Sequence, residues 1–250
     1  MRRFEASRKD SEWAEVDVMV EVPWGDSRVC QAIRKSVLET LDEVASAGYG
    51  DGKRMFKRYG GDWSDVKALV NYYAESAYKV IKAESKADWK ERKSYQEAGM
   101  EEPDPIVFAH SVRLVKECEL EKLLVFACST YGYAGGAHGG SVAAHFMYDK
   151  TTGKEVKEVV SPKEAGRLQE AMKSGLCEYF GCSRAELMDE LQIEGSQIPW
   201  PQMAPYASKD GVVVVYQQYE IAPYAAGMPT FVIPWVKVRT PSVPLKGRRD

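Results

Sequence analysis

Apolar and polar positions change rhythm along this chain often enough to mark out its elements. Val16, Val18, Val20 and Val22 alternate with Glu15, Asp17, Met19 and Glu21, the period of two that a half-buried strand requires. Pro23 ends it. Beyond it the period lengthens: Val29, Ile33, Val37, Leu41 and Val44 fall three to four residues apart, predicting an amphipathic helix with Asp26 as N-cap and Gly48 just past its end. Residues 48–61 (GYGDGKRMFKRYGG) are rich in glycine and cations, which fits either an anion site or a solvated connector. A long helix is predicted from Asp62 to Ala98, with Trp63, Val66, Val70, Tyr73, Ala77, Val80 and Ile81 on one stripe. Its second half is charged apart from Trp89, and either projects into solvent or lies over another element.

Glu101–Pro105 (EEPDP) breaks the helix, and strand character takes over. Ile106–Val115 and Leu123–Ser129 read as a hairpin around Lys116–Lys122. Val142, Ala144, Phe146 and Tyr148 mark a further strand, and Asp149–Lys154 a turn into Val156–Val160. Two capping boxes follow. Ser161 with Glu164 opens a helix carrying Leu168, Met172, Leu176 and Tyr179 inward until Gly181; Ser183 with Glu186 opens a short one with Leu187 and Leu191. The loop Ile198–Pro205 (IPWPQMAP) leads to strands at Val212–Tyr219 and Phe231–Val238, where Pro234 demands an edge or a bulge. The terminal KGRRD is polar, a mobile tail. The sum is an α+β fold: an antiparallel β-sheet packed against helices on one face.

Composition narrows the function. The 250 residues are 44% hydrophobic, 28% charged and 11% aromatic, enough for a sizeable core and unlike a disordered chain. Net charge, 34 minus 37 or −3, excludes a protein that coats nucleic acid. No apolar run approaches the roughly 20 residues of a membrane span. Met1–Asp10 shows no secretory signal. The five cysteines form no CxxC and read as buried free thiols. Cys177 and Cys182 are five apart near a helix end, and a helical rise of ~1.5 Å per residue puts their Cα atoms more than about 7 Å apart, too far to bridge easily.

Catalytic motifs are sparse. His110, His138 and His145 lack the spacing of a zinc site, and no metal or cofactor is implied. No GxSxG, Walker A or GxGxxG occurs. A Cys128–His138 nucleophile pair places its thiol in an apolar strand, where burial blunts it. Two segments stand out instead. Tyr131–Gly140 (YGYAGGAHGG) carries five glycines, two tyrosines and a histidine directly after a strand. Tyr219–Gly227 (YEIAPYAAG) also leaves a strand, with two tyrosines and turns at Pro223 and Gly227. Each fits either a local connection or a shaped loop that offers rings to a partner.

The YGYAGGAHG stretch, the turn Thr152-Gly153-Lys154 and YEIAPYAAG followed by a strand together resemble the RsiV-like domain family, the extracytoplasmic part of anti-sigma-V factors. Residues 12–140 resemble the module that precedes PdaC-type peptidoglycan deacetylases, and 141–240 the RsiV-like module, the two forming one fold. The resemblance implies a non-catalytic recognition domain of the bacterial envelope or periplasm, as in envelope lipoproteins. Its partner would be a lysozyme-like muramidase or the glycan that enzyme acts on. Carried over by motif, the ligand-binding candidates are Tyr131, Tyr133, Gly135, Gly136, Ala137, His138, Tyr219, Pro223 and Tyr224, on two loops at one end of the sheet. Trp200 and Trp235 would extend a platform for sugar faces. No transmembrane helix, sigma-binding segment or deacetylase motif accompanies these residues. Two rival readings stand beside this one. The first is a cell-wall hydrolase built on His138 with Cys128, Ser129 or Glu220; the second is a structural lipoprotein with an apolar surface along the 62–98 helix.

Overall fold

The computed structural model describes residues 1–48, 53–95 and 101–238. Residues 49–52 of the glycine-rich loop, residues 96–98 at the expected end of the long helix, and the KGRRD tail lie outside them. In chain order the elements are β1 (Arg2–Lys9), β2 (Ala14–Val22), α1 (Arg28–Ala45), α2 (Val66–Ser94), β3 (Phe108–Glu119), β4 (Leu123–Tyr133), β5 (Gly140–Asp149) and β6 (Glu155–Val156). Then come α3 (Ala165–Phe180), α4 (Leu187–Glu190), β7 (Tyr206–Ala207), β8 (Gly211–Val215) and β9 (Thr230–Pro234). One sheet runs β1-β2-β3-β4-β5-β6 and a second β7-β8-β9. The class is α+β as the periodicity requires. One pairing departs from an antiparallel sheet: β2 and β3 are parallel, Ala14 opposite Phe108 through Val20 opposite Leu114. The connection between them holds α1 and α2, and a crossover of that length returns the chain in the same direction.

Two compact units divide the chain: Met1–Val115 with Ser129–Ser141, and Lys116–Cys128 with the residues from Val142 onward. In the first, β2 buries Ala14, Val16, Val18, Val20 and Val22, and both α1 and α2 pack on it. β1 has no counterpart in the periodicity. It is an edge strand that buries only Ala6 and meets β2 through Arg3–Glu21 and Lys9–Glu15 ion pairs, both 2.8 Å. α1 is capped by Ser27, not Asp26: the Ser27 hydroxyl accepts from the Cys30 N–H at 3.1 Å.

Asp42, 1% exposed, organises the connection to α2. It accepts from Arg54 at 3.2 and 2.8 Å and from the Tyr73 hydroxyl at 2.6 Å, with Arg58 at 3.3 Å. Burial pushes its carboxyl up, but hydrogen bonds from Arg54 and Tyr73 and the charges of Arg54 and Arg58 outweigh that and hold it below the ordinary range. Two cations of the loop are thus committed to an internal carboxylate, which weakens its reading as an anion site. α2 begins only at Val66, after Asp65 caps it, so Trp63 precedes the helix and stacks under Arg58 instead. The charged second half lies over the returning chain. The Trp89 indole donates to the Pro103 carbonyl at 2.9 Å, and the Ser85 hydroxyl to the Ile106 carbonyl at 2.7 Å.

In the second unit β8 (GVVVV) is wholly buried between β7 and β9, and α3 packs on β9. Leu168, Met172 and Leu176 of α3 join Val212, Val214, Phe231 and Ile233 in the core. Gly175 lets α3 approach β9 closely: a Cβ there would sit 2.3 Å from the Phe231 ring. The hairpin turn is tighter than its sequence indicates. β3 continues to Glu119, and the Leu120 N–H closes the turn onto the Leu123 carbonyl at 2.8 Å. Of the two capping boxes, Ser183 and Glu186 bond reciprocally, at 2.9 and 3.4 Å. Ser161 instead caps a single 3-10 turn at Pro162–Glu164 that precedes α3. Pro234 is the last residue of edge strand β9, where a missing N–H is tolerated.

Candidate functional site

The two ring-bearing bends fall in different units, Tyr131–His138 in the first and Tyr219–Tyr224 in the second. In the first bend, β4 runs out through Tyr131 and Tyr133 into Gly135 and Gly136, both left-handed at φ 88 and 86. The Tyr133 hydroxyl donates to the Gly136 carbonyl at 3.1 Å, which closes the bend on itself. Tyr131 is 38% exposed, and its ring lies on Gly139, where a Cβ would come within 2.5 Å of it. Glycine at 139 is therefore a packing requirement of the tyrosine. Ala137 and His138 are exposed, and the His138 Nδ1 lies 3.2 Å from the Gly139 carbonyl.

The second bend is more heavily braced. Gln217 is buried and grips β5: its amide accepts from the Ala143 N–H and donates to the Ala143 carbonyl, each at 2.9 Å. Glu220 accepts from the Gln217 N–H at 2.7 Å and the Gln202 N–H at 2.6 Å. Between these supports Tyr219 adopts φ 63, the one non-glycine residue with positive φ among the described residues, and it is 60% exposed. Its ring pairs with Tyr224, centroids 5.7 Å apart. Pro223 opens the 3-10 turn that carries Tyr224.

Tyr179 belongs to this bend too. It reads from sequence as an inward residue of α3, but it is 39% exposed, and its hydroxyl donates to the Ala226 carbonyl at 2.6 Å. Tyr179 and Phe180 are adjacent at the helix end, so the two rings cannot share one face; that was the available signal. Trp200 and Trp235 are half-buried against the core, and the Trp235 indole donates to the Ser208 carbonyl at 3.0 Å.

The rival hydrolase reading names Cys128 and Glu220 beside His138. Cys128 is buried, and burial pushes its thiol up to about 12, so it is protonated at neutral pH. Glu220 is engaged with two backbone N–H groups. His145 stacks on Tyr206 at 3.7 Å and burial holds its imidazole down at about 4. Among the described residues no group of three or more His, Cys, Asp or Glu could hold a metal ion, and no helix is long and apolar enough to cross a membrane.

Residues 191–236, the segment holding β7 to β9 and the second bend, match a family described as a protein of unknown function, DUF3298. Similar solved structures carry that family's name as well. A DUF3298 member from Bacteroides fragilis superposes with a TM-score of 0.67 at 16% identity, over 94% of this chain and 90% of its own. A DUF3298 protein from Pseudomonas aeruginosa gives 0.56 at 16% identity, over 93% and 88%. At that identity the likeness concerns the fold. No curated protein matches the chain.

Proposed function

We propose that this chain is a non-catalytic, extracytoplasmic recognition domain of the bacterial cell envelope that grips a lysozyme-like protein through its tyrosine bends. The observation that carries the reading is Tyr219. A large ring is held 60% exposed in a left-handed backbone that costs about 1 kcal/mol or more for a non-glycine residue. Glu220 and Gln217 brace that conformation, so the strain is built in. Tyrosine suits an anchor because it buries large area with few rotatable bonds and keeps a hydroxyl for hydrogen bonding. The motif resemblance supplies the partner class and adds Tyr131, Tyr133 and His138 of the first bend as further candidates.

Purified chain passed over immobilised lysozyme and over purified peptidoglycan tests the reading. Retention on lysozyme is expected, with Tyr131→Ala and Tyr224→Ala each weakening it by about 2 kcal/mol. Retention on peptidoglycan alone would move the ligand to the glycan. Retention on neither, or folded alanine variants that bind undiminished, would overturn the proposal.

A further inference from the structure

Helix α3 ends in a way that sets two thiols side by side. Gly181 is left-handed at φ 66, ψ 28, and its N–H donates to the Cys177 carbonyl. The Cys182 N–H donates to the same carbonyl at 3.1 Å. This is the six-to-one bond of a Schellman-type cap, in which the residue after the glycine folds back over the fourth-from-last residue of the helix and their side chains meet. Both of those positions are cysteine. Both side chains are half-buried at the edge of the core, and the Cys182 thiol is raised above its ordinary value by burial and by the neighbouring Cys177. A continuous helix would hold residues five apart out of bridging range, but the reversal at Gly181 removes that separation.

We propose that Cys177 and Cys182 form a redox-active dithiol that closes into an intrachain disulfide across the C-cap of α3, with a low-molecular-weight or protein disulfide as oxidant. One thiolate of the pair attacks a sulfur of the oxidant, releasing one thiol and forming a mixed disulfide. The second thiolate displaces the other half of the oxidant. Two protein thiols and one disulfide become one protein disulfide and two thiols, with electrons balanced. The cross-link would fix the turn from which Tyr179 reaches the Ala226 carbonyl, so oxidation would stiffen one support of the second bend. This inference stands whether or not the proposed ligand is correct.

The intact chain can be equilibrated in reduced and oxidised glutathione, quenched with acid, alkylated and digested with trypsin. Both cysteines lie in a single tryptic peptide, Ser174–Arg184, so closure leaves that peptide lighter by two hydrogens and unalkylated. The folded chain is expected to close the pair at about tenfold lower oxidised glutathione than the same chain in denaturing urea, because the cap holds the thiols together. Cys182→Ser should leave Cys177 as a glutathione adduct, and Gly181→Ala should erode the advantage of the folded state. Equal or poorer closure in the folded chain, or separate adducts on both cysteines, would overturn the inference.

Discussion

At the scale of single residues, the tyrosines of the second bend are visible in the sequence but the backbone that aims them is not. A left-handed tyrosine has no composition signal; Tyr219 adopts φ 63 because Glu220 satisfies the amides around it. The strain gives a clean comparison. Tyr219→Gly and Tyr219→Ala lose the same ring, yet only glycine tolerates that φ freely, so the glycine variant should be the more stable by about 1 kcal/mol in urea unfolding. Equal stabilities would mean that the backbone carries no strain there. His145 offers a pH test. Burial holds its folded imidazole near 4, below the ordinary 6.5, so the unfolded chain binds more protons between those values. Stability must therefore fall as pH drops through that window, and His110, also lowered by burial, acts in the same direction. His145→Phe should recover on the order of 1 kcal/mol at pH 5 while changing little at pH 7. An unchanged pH profile would remove His145 from the explanation.

Among the elements, legibility tracked how far local chemistry decides the outcome. The alternating valines of β2 and the Ser183–Glu186 box are local signals, and both formed. β1 was hidden because an edge strand that buries one alanine and pairs through Arg3 and Lys9 looks like a charged leader. The start of α2 slipped from Asp62 to Val66 because Asp65, not the apolar stripe, sets the cap. Tyr179 leaves the apolar stripe of α3 because periodicity alone does not mark where a stripe ends, and only its adjacency to Phe180 signals the change. Contact between α3 and β9 also escapes periodicity, although it makes a sharp prediction. Gly175→Ala would drive a methyl into the Phe231 ring, and a loss of about 2 kcal/mol is expected from thermal or urea unfolding. A variant as stable as the parent would show that this face is loosely packed.

For the molecule as a whole, the α+β class follows from the alternation of strand and helix periods, and the fold recurs in the Bacteroides and Pseudomonas DUF3298 structures. The parallel β2–β3 pair could not be read, since side-chain period is blind to strand direction. The tyrosines of the second segment are visible in the sequence, whereas its bracing by Gln217, Glu220 and Tyr179 comes only from the fold. The proposed recognition role rests on the exposed ring of Tyr219 in its braced bend. Titration calorimetry of the intact chain against lysozyme, repeated with Tyr219→Ala, puts that to a decision. Saturable heat with one-to-one stoichiometry is expected, with affinity falling about thirtyfold in the variant, the equivalent of ~2 kcal/mol. A titration without saturable heat, or a folded variant that binds as tightly as the parent, would refute it.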